Sequence, residues 1–376
     1  MSKGLTTSKI QEEDLDKELA AEFYHKQARE DLRSKRFQKA MKCYEQAMKL
    51  DPSKVSYIHD YGIICFKSKK PEKAEEYLRK AISLDPSNDL YVYNLGILHY
   101  NLKNFTKATA CLRESIKLNP TNASYLKDLG KLYDLCNNFR QAEDCYKKSI
   151  ELNPTNSSYL NNLGCLYYKH KLFEKAETHF LKAVEYAPTN PKYLYDLALV
   201  SYSLGEFTDA TKHFIKVLEL DPQNIPCERY LMELADKYFW SGQFREAIKP
   251  LEALAKNGLS KATKYLKSAY GNLAMSLLDQ EKFEQVVNLL ETEKPSWLKL
   301  DSDQDALLLE AQQKLSKLQK TLIAKEEDDD VDSDFYSASS YMSKLSIVIP
   351  PDDADAWVDS VTECTPITGS VSIKFQ

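Results

Sequence analysis

Five short polar side chains recur at intervals of 34 residues: Asp60, Asn94, Asp128, Asn162 and Asp196. Asn offers a donor and an acceptor, and ionised Asp only accepts. A row of them can therefore hold a peptide main chain without reading its side chains. A second column at the same interval reads Cys43, Tyr77, Cys111, Cys145, His179 and His213. Thiolates and imidazoles are zinc ligands, but a tetrahedral site needs four ligand atoms about 2.0–2.3 Å from one ion. One such residue per helix pair leaves neighbours on the order of 10 Å apart. This column is read as packing, and no metal or other cofactor is expected. Cys65 and Cys165 are read the same way. The chain has no GxSxG, HExxH or phosphate-binding glycine motif, so no catalytic set is expected.

The elements that carry these columns announce themselves through proline. Pro52, Pro86, Pro120, Pro154, Pro188 and Pro222 stand 34 residues apart, a period that marks a stacked repeat array. With Ala21 as position 1, position 8 is Ala28, Gly62, Gly96, Gly130, Gly164 and Ala198. Position 20 is alanine in all six units: Ala40, Ala74, Ala108, Ala142, Ala176 and Ala210. Position 24 is Tyr44, Leu78, Leu112, Tyr146, Phe180 and Phe214, and position 27 is small or apolar from Ala47 to Val217. Positions 4, 7, 8 and 11 form one stripe at helical spacing, and 20, 24 and 27 form another. Two antiparallel helices per unit follow, brought close by the small residues at 8 and 20. Gly205 and Gly242 fall at the turn between them, where positive φ is easily housed. Asp51-Pro52 and its counterparts close the second helix, because proline disfavours the α conformation in the residue before it.

This pattern resembles the tetratricopeptide repeat, with Leu160, Leu163, Gly164, Tyr167, Ala176, Phe180, Ala183 and Pro188 as its best copy. The resemblance implies an all-α, tetratricopeptide-repeat superhelical solenoid of about eight helix pairs. It also implies that first helices line a concave groove, with positions 2, 5, 6, 9, 12 and 13 pointing inward. The position-6 row then becomes a groove ladder similar to the asparagine ladder of O-linked N-acetylglucosamine transferases, with Asp at three rungs. Phe66, Tyr100, Tyr168 and Tyr202, at position 12, would flank it as aromatic anchors or pack between first helices. Lys127, Lys131, Asn162 and Lys192 partly match the carboxylate clamp of chaperone-binding relatives. There Lys131 replaces an Asn, and Asp196 replaces an Arg and would repel the clamp's ligand.

Residues 1–20 are expected to be an N-terminal capping helix, opened by a capping box at Ser8–Gln11. Residues 21–224 hold six regular units, and 225–324 hold two degenerate units plus a C-terminal capping helix from about Asp303 to Ala324. Residues 325–376 carry 3 basic and 12 acidic side chains, a net of −9, against +4 for the remainder. Such a segment is expected to be disordered. Its apolar islands, Leu345–Ile349 and Trp357-Val358, could order on binding, and its charge could compete for the groove at Lys127, Lys131 and Lys192. No apolar run approaches the roughly 20 residues that span a bilayer, and the N-terminus lacks a signal core. Cysteines without a CxxC suit a reducing compartment, cytoplasm or nucleus. No basic stripe suggests nucleic acid. The expected function is a non-enzymatic adaptor or scaffold that binds an extended peptide or partner segment in the groove. The alternatives are a co-chaperone with a partial clamp, and a relative of the transferases that lacks their catalytic domain.

Overall fold

The structure is a computed structural model and describes residues 2–327; most of the acidic segment, including both apolar islands, lies outside them. Among the described residues every regular element is a helix. They divide into two compact units that meet in sequence at Pro188 and Thr189.

The first unit holds five helical hairpins. These are α1 (Ser2–Arg33) with α2 (Phe37–Leu50), α3 (Val55–Lys67) with α4 (Pro71–Leu84), α5 (Asp89–Asn101) with α6 (Phe105–Leu118), α7 (Ala123–Leu135) with α8 (Phe139–Leu152), and α9 (Ser157–Lys169) with α10 (Phe173–Tyr186). Helix α1 runs unbroken from the N-terminal extension into the first repeat. The second unit contains α11 (Pro191–Leu204), α12 (Phe207–Leu220), α13 (Ile225–Trp240), α14 (Phe244–Lys256) and α15 (Ser260–Asp279). Its last hairpin is cut short. Helix α16 (Phe283–Asn288) runs into a π-helical turn at Leu289–Glu293 before the long α17 (Ser302–Glu327).

The repeat pattern explains the core. All six position-20 alanines are fully buried, and so are the position-24 rings and leucines that fill the space beside them. Burying such a side chain stabilises by about 1.5–3 kcal/mol. The glycines at position 8 are needed for closeness: a Cβ on Gly130 would lie 2.8 Å from the Tyr146 ring, and one on Gly164 2.6 Å from Phe180. Before each proline the chain is extended, with φ between −131 and −147° at Asp51, Asp85, Asn119, Asn153, Ala187 and Asp221. The N–H of that residue bonds back to the carbonyl of position 27, which gives the last helical turn a partner. The next helix is opened by position 34, where the Asn122, Asn156 and Asn190 side chains accept from the N–H two residues on.

The turn inside each hairpin places position 15 in the left-handed region. Gly205 has φ 83° and Gly242 φ 76°, in keeping with the expectation for glycine. The same conformation, at φ 57–59°, is taken by Asn137, a residue type that tolerates it, and by Lys35, Lys69, Lys103 and Lys171, which the sequence does not mark as turn residues. The tight hairpin imposes the geometry whatever side chain stands there.

Candidate functional site

The first helices α3, α5, α7 and α9 present the position-6 row, and its placement differs from an open ladder. Asp60, Asn94, Asp128 and Asn162 are only 3, 0, 2 and 6% exposed. Three of the four spend their polar atoms inside the stack. Asp60 accepts from Tyr44 Oη at 3.1 Å and pairs with His25 Nε2 at 3.2 Å and His59 Nδ1 at 3.0 Å. Asn94 Nδ2 meets His59 Nε2 at 2.9 Å. Asp128 accepts from Tyr93 Oη at 2.7 Å through one carboxylate oxygen and is ion-paired with Lys127 Nζ at 2.8 Å through the other. A buried polar group without such partners would cost about 1–3 kcal/mol, so these bonds lock neighbouring first helices together.

The partners share one address. His25, His59 and Tyr93 stand at position 5, and each bonds to position 6 of the following repeat, 35 residues on. The same rings lie against position 3 of that repeat, His25 tilted and the other two stacked. His25 lies 4.9 Å from Tyr57, His59 4.6 Å from Tyr91, and Tyr93 4.4 Å from Tyr125. Sequence reasoning missed this column, although it keeps the same period and sits one residue before the ladder. Burial pushes the Asp60 carboxyl up, but the hydrogen bonds and charge of His25 and His59 outweigh it and hold the group below the usual carboxylate range.

Asn162 is the exception. Its Nδ2 is buried and has no hydrogen-bond partner. Of the other groove residues expected from the sequence, Lys127 and Lys131 on α7 and Tyr168 on α9 are half-buried. Lys127 is already paired with Asp128, so it is not an open clamp lysine. In the second unit, Asp196 is half-buried and Lys192 exposed.

The position-12 rings are half-buried and held from below, by their own hairpin. Tyr100 packs on Phe105 at 6.4 Å, Tyr168 on Phe173 at 5.5 Å, and Tyr202 on Phe207 at 5.6 Å. All three thus touch position 17 of the same repeat, and Tyr202 also packs on the adjacent first helix. There it meets Tyr230 at 5.5 Å and donates to Glu233. Phe66 is half-buried at the corresponding place in α3.

The cysteine and histidine column lies on second helices. Among the described residues no group of three or more His, Cys, Asp or Glu is arranged to hold a metal ion. Burial raises the Cys111 thiol, and raises Cys145 to about 11, which keeps both in the poorly ligating protonated form. Cys65 is likewise raised to about 11 by burial. No described helix is long and apolar enough to cross a membrane.

Models of the tetratricopeptide repeat match residues 21–54, 55–88, 90–122, 123–156, 145–178 and 191–224. No curated protein sequence matches. Among solved structures, the C-terminal part of a TPR repeat-containing protein from Cytophaga hutchinsonii aligns at 16% identity with a TM-score of 0.53, covering 65% of this chain and 99% of that one. PilF of Pseudomonas aeruginosa aligns at 20% identity with a TM-score of 0.50, covering 58% and 99%. At these identities the likeness is one of fold alone. Helix pairs, repeat period and family models agree, and the chain belongs to the tetratricopeptide-repeat family.

Proposed function

We propose that this chain is a non-enzymatic adaptor of the cytoplasm or nucleus that holds an extended segment of a protein partner against the first-helix face of residues 55–169. The observation that carries this reading is the Asn162 amide, a buried donor with no partner. Leaving such a donor unmade costs about 1–3 kcal/mol, and a carbonyl of a bound main chain would satisfy it. The half-buried rings of Tyr100 and Tyr168 support the same reading. They are fixed from beneath by Phe105 and Phe173, so a partner could pack on them at little further cost in side-chain entropy. Asp60, Asn94 and Asp128 act as the buried frame of this surface.

The test starts from affinity purification of a natural partner, followed by titration of that purified partner with the full chain. Asn162→Ala should weaken binding by about three- to tenfold, the worth of one hydrogen bond. It should leave the free protein's melting temperature unchanged or higher, because it removes an unpaired donor. Tyr100→Ala with Tyr168→Ala should weaken binding further. Unchanged affinity in all these variants would refute the surface.

A further inference from the structure

The six regular repeats close their second helix on a proline, but α14 closes on Asn257-Gly258, the one Asn-Gly pair in the chain. Asn257 is half-buried, and its side-chain amide is fully used. Nδ2 donates to the Pro222 carbonyl at 2.9 Å and to Glu228 Oε1 at 2.5 Å. Pro222 follows α12, and Glu228 lies in the first turn of α13. Both hydrogens of one amide therefore tie the end of α14 to the α12–α13 connection. Gly258 is exposed at φ 93°, and a Cβ placed on it would meet nothing within 4 Å. Its N–H bonds to the Ala255 carbonyl at 3.0 Å.

We infer that Asn257 is a site of spontaneous deamidation, held in check by the Pro222 carbonyl and Glu228, and that its conversion opens the join between α14 and the α12–α13 connection. The backbone nitrogen of Gly258 attacks Asn257 Cγ. The new N–Cγ bond closes a five-membered imide, the Cγ–Nδ2 bond breaks, and ammonia leaves with the proton that the Gly258 nitrogen gives up. Water then opens the imide at either carbonyl and leaves aspartate or isoaspartate. Glycine favours the attack, because no side chain crowds its nitrogen and its backbone turns freely. The fold opposes it. Two acceptors hold the nitrogen that must leave, and the Ala255 carbonyl holds the N–H that must attack. Conversion therefore waits for local opening of this helix end. Its product undoes the join. A carboxylate has no hydrogen for the Pro222 carbonyl, and it stands against Glu228, where like charges repel. The site lies outside residues 55–169 and does not depend on the reading of that surface.

The test follows Asn257 by peptide mass spectrometry in the full chain, incubated in mildly alkaline heavy-oxygen water. In denaturant Asn257 should convert first among the chain's asparagines, to aspartate and isoaspartate together, each product carrying one solvent oxygen. In the folded chain it should convert at least about tenfold more slowly. Glu228→Ala removes one acceptor and should speed conversion of the folded chain about three- to tenfold, the worth of one hydrogen bond, with no change in denaturant. Glu228→Gln keeps an oxygen acceptor and should stay close to the parent. Gly164→Ala, which strains the first unit, should not speed conversion; this separates local opening from general loss of stability. For the product, Asn257→Asp should speed hydrogen exchange in residues 223–230 more than Asn257→Ala does, and adding Glu228→Gln should slow it again. An unconverted Asn257 in denaturant would overturn the proposal, as would equal rates in the folded and unfolded chain or in the parent and Glu228→Ala. Exchange in Asn257→Asp no faster than in Asn257→Ala would overturn the opening of the join.

Discussion

The position-8 glycines differ in how much they resist a side chain. A Cβ on Gly62 or Gly96 would meet its nearest neighbour at 3.1 Å, whereas Gly164 faces the Phe180 ring at 2.6 Å. Gly164→Ala should therefore cost more than Gly62→Ala, about 1–3 kcal/mol in denaturant melts. The presence of Ala28 and Ala198 opposite Tyr44 and Phe214 shows that a ring can accommodate a methyl when its whole repeat is built for it. The histidines make a different prediction. Burial lowers the pKa values of His99, His179 and His213, so they stay neutral in the fold below the pH at which the unfolded chain, near about 6.5, takes up protons. Stability then falls as pH drops through that value. Asp60 acts lower: its contribution is complete above about pH 4 and disappears as pH falls through its depressed folded value. Thermal melts should show a decline between pH 7.5 and 5, and the triple change His99→Gln, His179→Gln, His213→Gln should flatten it. An unchanged slope would mean that these rings are not the titrating groups. The small residues were legible in the sequence because closeness admits few side chains. Ladder burial was not, because Asn and Asp look the same whether they face a groove or a neighbouring tyrosine.

At the scale of the helix and its ends, punctuation was legible in proportion to how few residues can supply it. Only proline forces the extended residue before it, so the closing of each second helix could be read directly. Asn at position 34 could have been read as the opening cap of the next helix; the repeat count drew attention away from its side chain. Loss of that cap in Asn156→Ala should cost about 1 kcal/mol. The left-handed position 15 was legible only at Gly205 and Gly242, because lysine gives no sign of φ near +58°. A lysine there pays about 1–2 kcal/mol of backbone strain, and glycine would relieve it while adding about 0.4–1 kcal/mol of unfolded-state entropy. Lys103→Gly should accordingly be neutral to stabilising by up to about 1 kcal/mol, and Gly205→Lys destabilising. The opposite order in paired melts would show that strain at this turn is absorbed elsewhere.

For the molecule as a whole, six units in register made the architecture the most legible feature, since each column repeats the same packing decision. The looser later units were legible only as a trend. The six-residue α16 and its π-helical turn had no sequence signature beyond the decay of the pattern. The proposed binding surface was the least legible, because it depends on which polar atoms the stack leaves over. One repeated detail has a practical consequence. The left-handed lysines Lys35, Lys69, Lys103 and Lys171 are all exposed at hairpin tips, where a protease can reach the chain more readily than inside a helix. Brief digestion with trypsin should cut the folded protein into pieces whose lengths step by one repeat, 34 residues, with a skipped step where Asn137 replaces lysine. Read by mass spectrometry, the protein would supply its own ruler, and cuts spread evenly through the helices would erase the scale.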